Sequence, residues 1–294
     1  MSARFDCADP AQLLQGLAEA ETALRRGELV VLPTDTVYGI AAEAFDPVAV
    51  DGLLKAKGRG RDMPPPVLVG TVRAAMALVM ELGDAGKDLI DEFWPGALTI
   101  VCMSSPTLVW DLGETKGTVA VRMPLHQVAL DLLKRTGPLA VSSANVSGRP
   151  PATTADEAMA QLGDSVAVYL DGGRCAADVP STIVDLTGTV PRLLRQGVIS
   201  EDRLRAVIPL AVVDDDEPED ADDAPGAVAE GADDTDDEVP ASAGDEVPPV
   251  GGDEVPPDAG DGVAPGAGDQ VAEGAGDTAD GAEQGNHAHR DAAG

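Results

Sequence analysis

Three short polar segments carry the residue types best suited to binding an anionic ligand. Lys57-Gly58-Arg59 supplies two cations, Ser143-Ala144-Asn145 supplies a hydroxyl and an amide, and Pro33–Gly39 supplies further hydroxyls and a carboxylate. Cations placed beside hydrogen-bonding groups favour a small, polar, anionic molecule. These segments therefore predict one binding site, although long stretches of chain separate them.

Each polar segment adjoins an element that could hold it rigidly. A predicted helix begins at Asp46-Pro47 and ends at Gly58, between the two cations. Apolar stretches of strand character, Glu28–Leu32 and Pro138–Val141, precede the other two segments. Rigid elements in these places would hold the polar groups where a ligand can reach them.

Helix and strand signals alternate through the first 210 residues, which are enough for one domain with a sizeable core. The predicted strands are Glu28–Leu32, Val67–Val69, Ala97–Met103, Thr118–Arg122, Leu139–Ser143, Val166–Leu170 and Ser181–Asp185. The predicted helices begin at Asp9-Pro10 and Asp46-Pro47 and also cover Val72–Leu82, Ala85–Phe93, Leu125–Arg135 and Thr154–Leu162. Uneven strand spacing favours an α/β fold with a mixed sheet over a strict βαβ series.

Residues 211–294 differ sharply in composition from the rest of the chain. They contain 26 of the 52 acidic residues, only one of the 20 basic residues, and no Phe, Trp or Tyr. With so little large apolar surface, such a segment cannot offset the entropy cost of ordering its backbone. We therefore predict a domain at residues 1–210 and a disordered acidic tail at residues 211–294. Most of the net charge of −32 belongs to this tail.

Several functional classes lack support in the sequence. Neither a Gly-x-Gly-x-x-Gly dinucleotide motif nor a P-loop is present, and the three His residues are too scattered to predict catalysis or metal binding. Three widely spaced Cys residues fit a reducing cytoplasm rather than a disulfide framework or a zinc site. No leader or long apolar run is apparent, so we expect a cytoplasmic protein with no membrane partner.

Seven motifs follow one another along the first 200 residues. They are Pro33-Thr34-Asp35-Thr36-Val37-Tyr38-Gly39, Lys57-x-Arg59, Phe93-Trp94-Pro95-Gly96-Ala97-Leu98-Thr99, Val119-Ala120-Val121-Arg122-Met123-Pro124, Ser142-Ser143-Ala144-Asn145-Val146-Ser147-Gly148, Ser181-Thr182-Ile183-Val184-Asp185 and Arg195-Gln196-Gly197. Their order is typical of the YrdC-like family, the threonylcarbamoyl-AMP synthases of the TsaC type, which the chain resembles over about residues 10–200. Any one of these motifs would be weak evidence by itself. Their common order makes chance resemblance implausible.

The resemblance implies an open, twisted mixed sheet with flanking helices and a concave, positively lined cavity. It also implies a nucleotidyltransferase that makes threonylcarbamoyl-AMP and pyrophosphate from L-threonine, bicarbonate and ATP, for threonylcarbamoyladenosine modification of tRNA. Mg²⁺ would arrive with ATP, and no protein metal ligands are predicted. The implied partners are the TsaD, TsaB and TsaE type of transferase machinery, and the resemblance also admits tRNA.

Roles for particular residues follow from the same resemblance. The implied L-threonine contacts are Thr36, Arg122, Ser143 and Ser181. The implied ATP contacts are Lys57, Arg59, Thr118, Asn145, Thr153 and Arg195. The residues expected to matter most for catalysis are Lys57, Arg59, Ser143 and Asn145. Catalysis would depend mainly on positioning and on stabilisation of charge.

Each role has a simpler alternative. Lys57 and Arg59 could merely complement a helix dipole, Asp35 could cap a turn, and Ser143 could lie in a turn that its own hydroxyl satisfies. Where relatives often carry Asn or Lys before a Pro-Leu pair, this chain has Met63-Pro64-Pro65-Pro66, so a side-chain contact to ATP from that position is lost.

Two other functions remain open at this point. The first is a non-catalytic module that binds structured RNA, although the net charge of −7 on residues 1–210 and the few aromatic residues count against it. The second is a carbamoyl-transfer relative of the hydrogenase-maturation type, but the chain lacks the zinc-finger cysteines and appended domains that would support it.

Overall fold

The computed structural model describes residues 2–211, and the predicted tail lies outside this part of the chain except for Ala211. Ten strands and seven α-helices form within residues 2–211. The strands are β1 Ala3–Asp6, β2 Val30–Leu32, β3 Gly39–Glu43, β4 Val67–Leu68, β5 Leu98–Met103, β6 Thr118–Arg122, β7 Leu139–Ser143, β8 Val168–Asp171, β9 Thr182–Asp185 and β10 Arg192–Arg195. The helices are α1 Pro10–Arg25, α2 Pro47–Lys57, α3 Val72–Leu78, α4 Gly83–Phe93, α5 Gln127–Thr136, α6 Ala155–Leu162 and α7 Glu201–Arg205.

All ten strands belong to one mixed sheet in the order β1-β8-β2-β3-β7-β4-β6-β5-β9-β10. β3 lies antiparallel to both β2 and β7, whereas β5 pairs parallel with β9 and antiparallel with β6. The sheet is open because its two edge strands, β1 and β10, do not pair with each other. This architecture confirms the predicted α/β class with a mixed sheet and flanking helices.

The two helix starts predicted at Asp-Pro pairs are confirmed. Asp9 accepts hydrogen bonds from the amides of the next turn at 2.8 and 3.1 Å, and Asp46 does the same at 2.9 and 3.2 Å. Helix α2 ends at Gly58, whose φ of 64° is a conformation that glycine adopts without steric cost. The sequence therefore fixes where Lys57 and Arg59 leave this helix.

Some predicted elements were wrong. Helix α3 stops at Leu78 rather than Leu82, because Val79 is extended and forms a β-bridge with Ser104. Strands β1, β3 and β10 and helix α7 were not predicted. β3 has the sequence Gly-Ile-Ala-Ala-Glu, which has little intrinsic strand preference, and it becomes a strand because β2 and β7 pair with its two edges.

Helices cover both faces of one half of the sheet. Apolar side chains of α1 and α5 pack on one face, together with Val30, Leu139 and Val141. On the opposite face, α2 and α6 pack over Val31 and Ile40. These two layers make the half that contains β2, β3 and β7 a rigid support.

Within residues 2–211, no helix packs on one face of the other half of the sheet. Val119 and Val121 of β6, with their counterparts on β5 and β9, point into a core formed with α3, α4 and α7. Alternate residues point the other way. On that side Thr118 and Ala120 are half-buried and Met103 is 39% exposed. We call the surface formed by residues 118, 120 and 122 of β6, 99, 101 and 103 of β5, and 181 and 183 at β9 the open face.

The side chain of Thr182 joins β9 to the segment before α7. Its fully buried hydroxyl donates to the carbonyl of Ile199 at 2.8 Å and accepts from the amides of Gly197 and Ile199 at 2.9 and 3.0 Å. Thr182→Val would leave these backbone groups unpaired, so we expect a loss of about 2–3 kcal/mol in the free energy of unfolding, measured by urea denaturation.

Two control variants accompany this measurement. Thr182→Ser retains the hydroxyl and should lose much less stability. Thr136→Val removes a half-buried hydroxyl at the end of α5 that can donate to the carbonyl of Leu132 or of Gly137, and it should also lose much less. Equal stabilities for Thr182→Val and Thr182→Ser would contradict the role given to this hydroxyl.

Candidate active site

Arg122, the last residue of β6, is held at three of its nitrogen atoms. It donates to Asp35 Oδ1 at 2.7 Å, to Thr36 Oγ1 at 3.0 Å and to the Gly96 carbonyl at 2.9 Å. Its side chain is only 6% exposed, and burial lowers its pKa while Asp35 opposes that effect. An arginine remains charged under these conditions. The structure thus fixes a buried guanidinium on the open face.

Asp35 is a site residue whose role sequence reasoning missed. Its Oδ1 accepts both from Arg122 and from the amide of Leu125 at 2.9 Å. Asp35 therefore joins the Pro33–Gly39 loop to the end of β6 and to the residues that follow it. Asp35 and Arg122 are 87 positions apart, and no local pattern would reveal this pair.

Hydrogen bonds within the Pro33–Gly39 loop set the orientation of the Thr36 hydroxyl. Thr34 uses its single hydroxyl proton on the carbonyl of Val37 at 2.6 Å. Because the hydroxyls of Thr34 and Thr36 are 3.0 Å apart, Thr36 must be the donor of that pair. Thr36 Oγ1 therefore accepts from Arg122 and donates to Thr34, which leaves it only acceptor capacity for a ligand.

Lys57, the last residue of α2, has a fully buried side chain. Its Nζ donates to the carbonyl of Ser143, to the carbonyl of Asn145 at 2.8 Å and to Asn145 Oδ1 at 3.2 Å. The Asn145 amide in turn donates to the carbonyl of Arg149 at 2.7 Å. Lys57 and Asn145 thus fold the loop after β7 around an ammonium group, which goes beyond complementing a helix dipole.

The electrostatic setting of Lys57 differs from that of a surface lysine. Its pKa is lowered to about 7, mainly by burial and secondly by the positive charge of Arg59. The surrounding oxygen atoms favour the protonated form, because an ammonium can donate to all three of them.

Arg59 and Arg195 are cations with hydrogen-bonding capacity to spare. Arg59 donates to Ser142 Oγ at 3.4 Å, and its buried Nε has no partner among residues 2–211. Burial lowers the pKa of Arg195, and the positive charges of Arg122 and Arg59 lower it further. Arg195 therefore lies close enough to Arg122 and to Arg59 to be repelled by both, a cost that a bound anion would reduce.

Ser181 lies directly before β9 and adjoins Arg195. Arg195 Nε and Nη2 donate to the Ser181 carbonyl at 3.1 and 2.8 Å, and Nη2 also approaches Ser181 Oγ at 3.3 Å. Thr99 Oγ1 of β5 lies 2.8 Å from Ser181 Oγ. Thr99 belongs to one of the sequence motifs, but sequence reasoning gave it no role.

Two of the expected ATP contacts have local partners of their own. Thr118 shares the open face with Arg122 but is four residues, or about 13 Å, away along β6, and its hydroxyl donates to the carbonyl of Thr115 at 2.8 Å. Thr153 lies before α6, where its hydroxyl and amide donate to Glu157 Oε2 at 2.9 and 2.7 Å. Neither residue contacts the cluster of guanidiniums.

The described residues do not fit a resident metal ion. Within residues 2–211 no three His, Cys, Asp or Glu side chains come together in a way that could hold one. Asp35, the carboxylate paired with Arg122, already accepts two hydrogen bonds.

Within residues 2–211, no helix is both long enough and apolar enough to cross a membrane.

Fold and site together define a class of protein: an α/β protein with an open mixed sheet, one face of which presents guanidiniums and hydroxyls to a small anionic ligand. The Sua5/YciO/YrdC family model, described as "Telomere recombination", matches residues 22–197. The chain belongs to this family, which confirms the resemblance found in the sequence.

Particular relatives agree with this assignment. A Mycobacterium tuberculosis protein whose name includes threonylcarbamoyl-AMP synthase is 55% identical over 208 residues, which cover 71% of this chain and 96% of that protein. The threonylcarbamoyl-AMP synthase of Bacillus subtilis is 38% identical over 195 residues, covering 65% of this chain and 56% of the relative. The crystal structure of Pyrococcus abyssi Sua5 complexed with L-threonine superimposes with a TM-score of 0.65 at 32% identity, covering 72% of this chain and 62% of that one.

The buried ammonium of Lys57 gives a pH prediction. Its pKa is about 7 in the folded chain against an ordinary value of 10.5, so above pH 7 the unfolded state binds a proton that the folded state has released. The free energy of unfolding should therefore rise with pH from about 7 to about 9, by at most about 1.4 kcal/mol per pH unit. Below about pH 7 both states are protonated, and the cost of burying the charge is present in full.

Chemical denaturation at several pH values, on the parent chain and on Lys57→Met, checks this expectation. The variant loses hydrogen bonds and will be less stable throughout, so the informative quantity is the slope against pH. The slope should be smaller in Lys57→Met, and parallel profiles would show that Lys57 does not change protonation in this range.

Proposed function

We propose that this chain is an L-threonylcarbamoyladenylate synthase, which converts L-threonine, bicarbonate and ATP into threonylcarbamoyl-AMP and pyrophosphate. The names of its relatives support the activity. The observation that carries the proposal is the placing of Arg195 near both Arg122 and Arg59, beside the hydroxyls of Ser142 and Ser181, because substrates and products are all anionic or zwitterionic.

The threonine part of the site centres on Arg122. Three of its five N–H groups are used by the protein, which leaves one on each terminal nitrogen for the substrate carboxylate. The acceptor capacity of Thr36 suits the hydroxyl or the ammonium of L-threonine. Ser143 and Ser181 complete the contacts in this proposal.

The nucleotide part of the site uses the cations with spare donors. Arg59 and Arg195 bind the phosphates and stabilise the negative charge that develops as pyrophosphate leaves. Lys57 and Asn145 act by holding the loop that presents Ser143, since their own polar atoms are paired with one another and with the backbone. Thr118 and Thr153 lie at the periphery and contact the outer parts of the nucleotide.

The reaction proceeds in two bond-forming steps. The threonine amine attacks the bicarbonate carbon and water leaves, which gives a carbamate. A carbamate oxygen then attacks the α-phosphorus of ATP, and the bond to pyrophosphate breaks. Holding the reactants together supplies much of the acceleration. Mg²⁺ enters as part of the substrate MgATP, because the described residues offer no cage for it.

The cellular setting is part of the same proposal. Threonylcarbamoyl-AMP is consumed by a transferase system of the TsaD, TsaB and TsaE type that modifies tRNA in the cytoplasm. The alternative of a non-catalytic RNA-binding module is not favoured, because the relatives are named as enzymes and residues 1–210 carry a net negative charge.

Pyrophosphate release tests the activity. Purified protein should release pyrophosphate from ATP only when both L-threonine and bicarbonate are present. Arg59→Ala should lower kcat/KM by about 100-fold, since it removes a partly buried cation beside the reacting phosphates. Arg135→Ala, an exposed arginine on α5, is the matched control and should behave like the parent chain.

Two results would count against this function. Pyrophosphate release that does not respond to L-threonine would rule out the synthase reaction. No release at all, combined with tight and salt-sensitive binding of folded RNA, would favour the RNA-binding alternative instead.

The proposed catalytic unit is residues 1–210, and the acidic segment that follows is an accessory. The mycobacterial relative supports this extent, because 208 aligned residues cover 96% of it. Ala211 itself is still tied to the folded part, because its amide donates to the carbonyl of Pro191 at 2.8 Å.

A truncated chain ending at Ala211 should therefore retain cooperative unfolding and threonine-dependent pyrophosphate release, with kcat within roughly twofold of the full chain. Thermal denaturation and the pyrophosphate assay measure the two properties. A truncated chain that folds but is inactive would move part of the active site into residues 212–294.

A further inference from the structure

Thr99 carries a buried hydroxyl that none of the roles above uses. It lies on β5 at the open face, and its side chain is 2% exposed. Among residues 2–211, Ser181 Oγ at 2.8 Å is the hydrogen-bond partner of this hydroxyl. A polar group so deeply buried needs a partner, so the direction of this one bond matters.

The surroundings of Ser181 restrict that direction. A hydroxyl has one proton and two acceptor sites, whereas a guanidinium can only donate. Arg195 Nη2 lies 3.3 Å from Ser181 Oγ and so occupies one acceptor site of the serine. Either Thr99 donates to the second acceptor site, or Ser181 donates to Thr99.

The two arrangements leave different protons free. If Ser181 donated, the more deeply buried Thr99 would keep an unpaired proton. If Thr99 donates, every polar group of Thr99 is satisfied, and the free proton belongs to Ser181, which is 6% exposed and lies on the open face. The second arrangement leaves the unpaired proton on the less deeply buried of the two hydroxyls, where a ligand can accept it.

We propose that Thr99 is a positioning residue: it donates to Ser181 Oγ and thereby makes Ser181 a hydrogen-bond donor toward the L-threonine substrate. This inference rests on the proposed function, because it concerns the substrate of that reaction. Thr99 contacts Ser181 rather than the reacting atoms, so its effect passes through the serine.

The proposal constrains how the substrate lies. The atom of L-threonine that meets Ser181 must be an acceptor, which means a carboxylate or hydroxyl oxygen. The ammonium group has only protons to offer and is turned away from Ser181 and Arg122. This orientation leaves the amine free to meet bicarbonate, as the reaction requires.

Calorimetric titration of the full chain with L-threonine tests the role of Thr99. Thr99→Val keeps the shape but removes the hydroxyl, and it should weaken binding by roughly tenfold, as expected for one lost hydrogen bond to a charged or polar ligand. Thr99→Ser restores the donor and should bind within about twofold of the parent chain. Thr136→Val is the matched control on α5 and should leave binding unchanged.

A double-mutant cycle separates this role from simple packing. In a Ser181→Ala background, Thr99→Val should cause little further loss of affinity, because the group that it orients is gone. In the steady state, Thr99→Val should raise KM for L-threonine while KM for ATP stays close to that of the parent chain.

The possible outcomes distinguish this inference from the proposed function. If the parent chain neither binds L-threonine nor needs it for pyrophosphate release, both are overturned. If the parent chain does both and Thr99→Val binds equally well, only the role of Thr99 is overturned. An equal loss from Thr99→Val with and without Ser181 would likewise overturn it, since the effect would then not pass through the serine.

Discussion

The buried Lys57 ammonium is the interaction on which the arrangement of the site depends. It joins the end of helix α2 to the loop after β7, using the backbone carbonyls of Ser143 and Asn145 as acceptors. Burying a cation is costly, and here three oxygen atoms offset part of that cost. Because all three come from one short loop, the loop has little freedom to adopt another shape around the ammonium. The Ser143 hydroxyl lies 3.5 Å from the same ammonium, and the preceding residue, Ser142, accepts from Arg59.

The arginines of the site differ in whether a carboxylate is paired with them. Arg122 has Asp35 as a close partner, which allows it to stay buried and fixed. Within the described residues, Arg59 and Arg195 have hydroxyl or carbonyl partners but no ion pair. These two positive charges repel each other, and in the proposed function bound phosphates would relieve that repulsion.

Substrate access depends on the uneven covering of the sheet. Helices cover both faces around β2, β3 and β7, which makes that half rigid. Around β6, β5 and β9, the helices within residues 2–211 pack on one face, and the other presents alternating side chains such as Thr118 and Arg122. A rigid half that supports an open half is a common way to combine precise positioning with space for ligands. The same alternation places Thr99 next to Ser181.

The sequence by itself determined the elements with strong local signals and the identity of the motifs. Asp9 and Asp46 mark helix starts because a side-chain cap is a local interaction, and Gly58 marks a helix end because few other residues adopt its backbone conformation. The tertiary structure alone decided that β3, rich in Gly and Ala, is a strand between β2 and β7. It also decided that Asp35 binds Arg122 and that Thr99 binds Ser181. These contacts join residues that are 87 and 82 positions apart, and no local pattern encodes them because only the pairing and twist of the strands brings such side chains together.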